Sequence, residues 1–175
     1  MMSGSERSPR INVYAQSRLV GLLTFEAPNN CHFVYDEGWV VNGYPVSPHL
    51  SFSGEPDSTT IINFIRNLFP EGNAFEVLLE SESISRNNLY AILKAIGYDT
   101  AGVLTFSETP NQTTELRRVS DEELIERLNS GNSLVVWDGK FRLSVAGMQN
   151  KLNLYIDERN EMFLADGAYS STHIL

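Results

Sequence analysis

At 175 residues the chain is long enough for one substantial core, or for two small ones sharing an interface. Its composition, 42% apolar and 20% charged, is that of an ordinary globular protein, and a net charge of −9 excludes a broadly basic nucleic-acid surface. The one cysteine, Cys31, excludes an internal disulfide and fits a reducing, cytoplasmic setting.

The first ten residues, MMSGSERSPR, are polar, lack the apolar stretch of a signal peptide and read as a disordered tail. No run of about 18 apolar residues follows anywhere, so no membrane-spanning helix is expected. Residues 11–15 (INVYA) and 18–25 (RLVGLLTF) read as strands around a tight Gln16-Ser17 turn, and 31–35 (CHFVY) alternates as a third strand. Cys31 and His32 invite a metal reading. A site takes three or four converging ligands, however, and His49 and His173 are far away in sequence. A half-buried strand cysteine is the plainer expectation. Residues 42–57 hold three prolines and two glycines and suit an irregular loop.

Three helices are predicted next. Ile61, Ile62, Ile65, Leu68 and Phe69 recur at helical spacing behind a cap from Asp57 or Ser58, and Pro70-Glu71-Gly72 ends the run. A second helix near 74–82 puts Phe75, Leu78 and Leu79 on one side. In the third, Leu89, Ile92, Leu93 and Ile96 form the stripe, with Ser85 as cap and Gly97 past the end. Such stripes point to core. A strand over 101–106 closes this unit, and the polar stretch 107–114 (SETPNQTT) reads as a linker.

Beyond it, Ser120 and Glu123 form a capping box for a short helix bearing Leu124, Ile125 and Leu128, stopped by Gly131. The remainder is β-rich, with strands at 134–137, 141–145, 152–156 and 162–164 and a turn at Asp157–Asn160. The fold class is therefore α+β: a small antiparallel sheet with helices, then a β-rich second unit with little of its own to cover it. Asp36-Glu37, Glu80 and Glu82 read as solvated charges, and Asp121-Glu122-Glu123 as charge favoured at a helix N-terminus.

One segment invites a chemical reading. In SVAGMQNK (144–151), small residues lie between two strands and a lysine follows. Small residues let the backbone come close to phosphate oxygens, and successive N–H groups can face the anion. The segment has one glycine and fails the Walker A template. On pattern alone a hairpin is the stronger reading.

The surrounding RLSVAGMQNKL (142–152) resembles the signature of the HipA-like serine/threonine kinases, the toxin members of bacterial toxin–antitoxin pairs. The family pattern is close to Arg-Ile/Leu-Ser-Val/Leu-Ala-Gly-Ala-Gln-x-Lys, and Met148 stands where Ala is usual. Four further stretches match the family in order: FVYDEGW (33–39), NLFPEG (67–72), GYDTAGVL (97–104) and STHIL (171–175).

The resemblance implies four parts: a tail over 1–10, an N-terminal subdomain over 11–106, a linker and short helix over 107–133, and the start of a kinase N-lobe over 134–175. It implies that Ser144 is the autophosphorylated serine, and that Val145, Ala146, Gly147, Met148, Gln149, Asn150 and Lys151 form the ATP phosphate loop. The family phosphorylates aminoacyl-tRNA synthetases and pairs with a helix-turn-helix antitoxin. Its phosphate-gripping lysine follows directly after STHIL, and its catalytic and Mg²⁺-binding aspartates come later, so the 175 residues by themselves are expected to be inactive and to use no ATP or Mg²⁺. The expected partner is the remainder of the kinase. The alternative is a stand-alone antitoxin-like protein that restrains a separate HipA-like kinase.

Overall fold

The computed structural model describes residues 8–69, 73–98, 100, 102–109, 115–130, 136–138, 140–141, 152–166 and 172–175. Strands β1 (Arg10–Ala15), β2 (Arg18–Ala27) and β3 (Asn30–Tyr35) form an antiparallel meander. The turn is at Gln16-Ser17 as expected, with Gln16 in the left-handed region at φ 55°. Strand β4 (Leu104–Ser107) pairs with β1, giving the order β3-β2-β1-β4. Cross-strand partners share a face. Ile11 with Leu23 and Phe25 with Cys31 thus line one apolar side, and all four are buried.

The helices cover that side. Helix α1 (Glu37–Asn42) lies where the sequence suggested surface charge: the Asp36 carboxylate accepts from the Gly38 and Trp39 amides and starts a turn that buries Trp39. Helix α2 (Ser58–Arg66) is capped by Asp57, whose carboxylate accepts from Thr60 N at 2.7 Å. Ser58, the other candidate, instead accepts from the Cys31 amide and ties the helix to β3. The helix ends before Leu68 and Phe69, short of the predicted stripe. Helices α3 (Asn73–Ser81) and α4 (Leu89–Ile96) follow. The cap of α4 is Asn88, bonded to Ala91 N at 3.0 Å, rather than Ser85, which spends its hydroxyl on Asn87 N.

Strand β4 starts three residues later than the sequence suggests. Gly102 turns the chain at φ 101°, and buried Thr100 donates to Leu104 O at 2.6 Å, so the stretch before Leu104 is a turn. Cys31, expected half-buried, is wholly buried.

A second sheet has the order β10-β8-β9-β5, from β5 (Glu115–Val119), β8 (Asn153–Ile156), β9 (Met162–Asp166) and β10 (His173–Ile174). Strands β5 and β10 were not anticipated. ELRRV offers little apolar alternation, and a two-residue strand leaves no periodicity to read. Helix α5 (Asp121–Asn129) lies between β5 and a short hairpin, β6 (Val136–Trp137) with β7 (Lys140–Phe141). Ser120 caps α5 as predicted, accepting from Glu123 N, and the C-cap is Ser130; Gly131 lies outside the described residues. Asn160 closes the Asp157 turn at φ 60°.

The apolar side chains form two clusters. Among the described residues, twenty-one buried ones serve the first sheet and its helices, and Val119, Trp137, Leu152, Leu154 and Leu164 are buried in the second. Helix α5 buries none of its residues fully, and Ile125 and Leu128 are exposed.

Candidate functional site

All of the sequence-predicted site residues, Ser144 and Val145, Ala146, Gly147, Met148, Gln149, Asn150 and Lys151, lie outside the described residues. What is described is the frame on either side of them. The backbone of β7 runs to Phe141, paired with Val136, and the next described residue is Leu152.

Leu152 is fully buried and is held by two backbone bonds to Leu175, its N–H to Leu175 O at 3.0 Å and Leu175 N–H to Leu152 O at 2.9 Å. Thr172 extends this ladder. Its N–H donates to Leu154 O, while its Oγ1 accepts from Ile156 N at 2.9 Å and lies 2.9 Å from His173 Nδ1. The end of the STHIL stretch is thus a strand alongside β8, fixing the segment that follows Lys151.

On the other side stands a cluster that no sequence motif announced. Arg117 of β5 grips Glu123 of α5 through both terminal nitrogens, at 2.7 and 3.0 Å, and its Nε reaches Asp138 at 2.6 Å. The Trp137 indole N–H donates to the same Glu123 carboxylate at 3.1 Å, and the Arg127 guanidinium lies over the Trp137 ring. The Arg117 fork holds the Glu123 carboxyl below the ordinary glutamate range against a partial desolvation that acts the other way, and the indole bond adds to the fork. Glu123 therefore serves as an ion-pair hub as well as the return half of the predicted capping box, its carboxylate also accepting from the Ser120 backbone. Arg117 is likewise held in its charged form, first by Glu123. The sequence signal was weak, an arginine and a glutamate six apart across an element boundary.

The matched motifs of the first sheet have structural work. In 33–39, Tyr35 donates to Leu50 O at 2.6 Å, Asp36 caps α1, and the Trp39 indole donates to Tyr44 O. In 97–104, Gly97 allows close approach: an added Cβ would collide with Leu93 O and with Phe106, whose amide donates to Gly97 O at 2.7 Å. Phe69 of the 67–72 stretch is buried, and residues 70–72 lie outside the described residues.

Cys31 and His32 point to opposite faces of β3. The thiol is buried, and desolvation pushes its pKa up to about 11, while His32 is exposed and bonded to Glu26 at 3.1 Å. Neighbours on a strand cannot converge on one ion. Among the described residues no group of three or more His, Cys, Asp or Glu is placed to hold a metal, and no helix is long and apolar enough to cross a membrane.

Comparison with known proteins places these features in a family. Residues 11–107 match the model of the HipA N-terminal domain. The serine/threonine-protein kinase toxin HipA of Shewanella oneidensis is 39% identical over 164 residues, which cover 90% of this chain and 37% of that protein. The Sinorhizobium fredii protein Y4mE is 28% identical over 179 residues, covering 94% of this chain and 42% of its own. Among solved structures, a chain of the Shewanella oneidensis complex of HipA, HipB and operator DNA matches with a TM-score of 0.73 at 37% identity, over 94% of this chain and 39% of that one. The chain spans about two fifths of the length of these relatives. With its mixed α+β architecture and its match to the HipA N-terminal domain model over 11–107, the chain belongs to the HipA family.

Proposed function

We propose that these 175 residues are the N-terminal part of a HipA-like serine/threonine kinase, carrying its ATP phosphate loop over Val145–Lys151 and its regulatory autophosphorylation site at Ser144. The observation that carries this reading is the extent of the similarity to the HipA toxin. At 90% coverage, at most about 18 residues of the chain fall outside the match, so the span of the match includes 142–151 wherever its ends lie.

In this reading the backbone N–H groups of the loop face the phosphates, and Lys151 adds positive charge beside them. A phosphate on Ser144 would bring about −1.5 to −2 charges next to that anion site. Repulsion from the nucleotide would then displace the loop and switch the kinase off. ATP with Mg²⁺ supplies the transferred phosphoryl group in the assembled enzyme, whose gripping lysine and catalytic aspartates would come from the rest of the kinase. A HipB-type antitoxin is the proposed partner, with DNA contact residing in the antitoxin, and an aminoacyl-tRNA synthetase is the proposed substrate in the cytoplasm.

ATP titration tests the reading. The chain should show no measurable ATP affinity alone and gain it when mixed with the complementary portion of a HipA-like kinase. Tight ATP binding by the chain alone would contradict it. Binding to a complete kinase with loss of that kinase's activity would favour the antitoxin-like alternative.

A further inference from the structure

The helices cover one face of the first sheet, and an antiparallel sheet normally carries polar residues on the face left to solvent. Here the outward positions bring four apolar side chains together. Register pairs Val34 with Leu22 and Leu19 with Tyr14. The bulge that leaves Val20 without a β1 partner sets Leu19 on the same face as Leu22. Val34 is 67% exposed and Leu19 37%, while Leu22 and Tyr14 are half-buried. Asn12 and Thr105, partners of Leu22 and Tyr14, continue the face without charge. Arg10, Glu26 and His32 lie toward the β2–β3 turn, where His32 and Glu26 bond to each other.

We propose that this open face of the first sheet is the surface on which the remainder of the kinase packs. The inference rests on the proposed function, in which the chain is the N-terminal part of a longer kinase. The chain spans about two fifths of its relatives' length, so about three fifths of such a kinase is available to cover the face. A second copy fits less well. The four side chains together offer well under the roughly 800 Å² per partner that a stable interface between separate chains buries. A partner in the same polypeptide needs less, because the join supplies a high effective concentration. Charge points the same way. In a chain that is 20% charged with a net charge of −9, the centre of this face carries no charged side chain. Depletion of charge around apolar and aromatic side chains marks the centre of an interface.

Two measurements test it, each on the chain alone and on the chain joined in one polypeptide to its complementary kinase portion. The first is maleimide labelling of Val34→Cys, with Glu80→Cys, exposed on α3, as the control; Cys31 is buried and takes no label while the fold holds. Labelling of Val34→Cys should slow about tenfold on joining, and that of Glu80→Cys should stay within about twofold. Equal labelling of Val34→Cys in both contexts would overturn the proposal. Slow labelling in the chain alone, growing slower with concentration, would overturn it in favour of a second copy. The second measurement is the melting temperature of Val34→Asp and Val34→Lys. Neither should destabilise the chain alone, where Val34 is exposed, and each should lower the joined protein by about 2 °C, since a charge of either sign is desolvated there. Shifts of opposite sign, or none, would overturn the proposal. If the joined protein misfolds, which labelling of Cys31 reports, the same readouts on the chain mixed with the separate portion decide. A joined protein that protects Val34→Cys yet never phosphorylates Ser144 would uphold the packing surface and sink the kinase reading.

Discussion

Single residues divide by how local their partners are. Asp57 was legible as a cap because its partner, Thr60 N, is three residues away. Asp36 and Glu123 looked like surface or helix-end charge, but one starts α1 and the other joins Arg117 to Trp137, fourteen residues downstream. Partners that distant leave no periodic trace. Two expectations belong at this scale. Cys31, fully buried with its pKa raised to about 11, should resist Ellman's reagent at pH 8 in the native state and react on unfolding. Rapid native reaction would mean that β3 opens readily. Glu123 and Glu108 are both held below the ordinary glutamate value, by Arg117 and by Tyr90 with Lys94 respectively. A depressed carboxylate stabilises the fold above its unfolded value of about 4.3, and that contribution is lost as pH falls through the lower folded value. Acid titration should therefore show stability declining below about pH 4.3, and less steeply in Glu123→Gln.

At the scale of elements, amphipathic stripes were read correctly wherever a helix buries one face: α2, α3 and α4 place Ile61, Leu78 and Ile92 in the core. Caps were harder, since Ser85 and Asn88 both precede the α4 stripe and only the course of the chain between them decides. Asn88→Ala should cost about 1 kcal/mol in urea unfolding, whereas Ser85→Ala should cost a few tenths. The reverse order would place the cap at Ser85. Strand β5 escaped detection because Arg117 and Arg118 occupy a strand whose partner β9 lies over forty residues on, and pairing rather than pattern makes it a strand. The elements flanking the proposed loop were legible as strands, but the ion pairs that join Arg117 to Glu123 and Asp138 were not.

Across the molecule, among the described residues, the first sheet rests on twenty-one buried apolar residues and the second on five. Hydrogen exchange should accordingly find lower opening free energies in β8–β9 than in β1–β2. Equal protection in both sheets would show that the second is stabilised by more than its own cluster. The five matched motifs also separate at this scale. Those in the first unit carry caps, a close approach and buried aromatics, STHIL supplies the ladder beside β8, and the segment after β7 is the one given a chemical role in the proposed function.

The central claim is that this segment serves a kinase, and the most direct measurement is mass-spectrometric location of phosphate after the chain is mixed with the complementary kinase portion, ATP and Mg²⁺. The account predicts phosphate on Ser144, absent in Ser144→Ala and lost when Lys151 is replaced by Met. An assembly that forms and turns over ATP yet leaves Ser144 unmodified would contradict it.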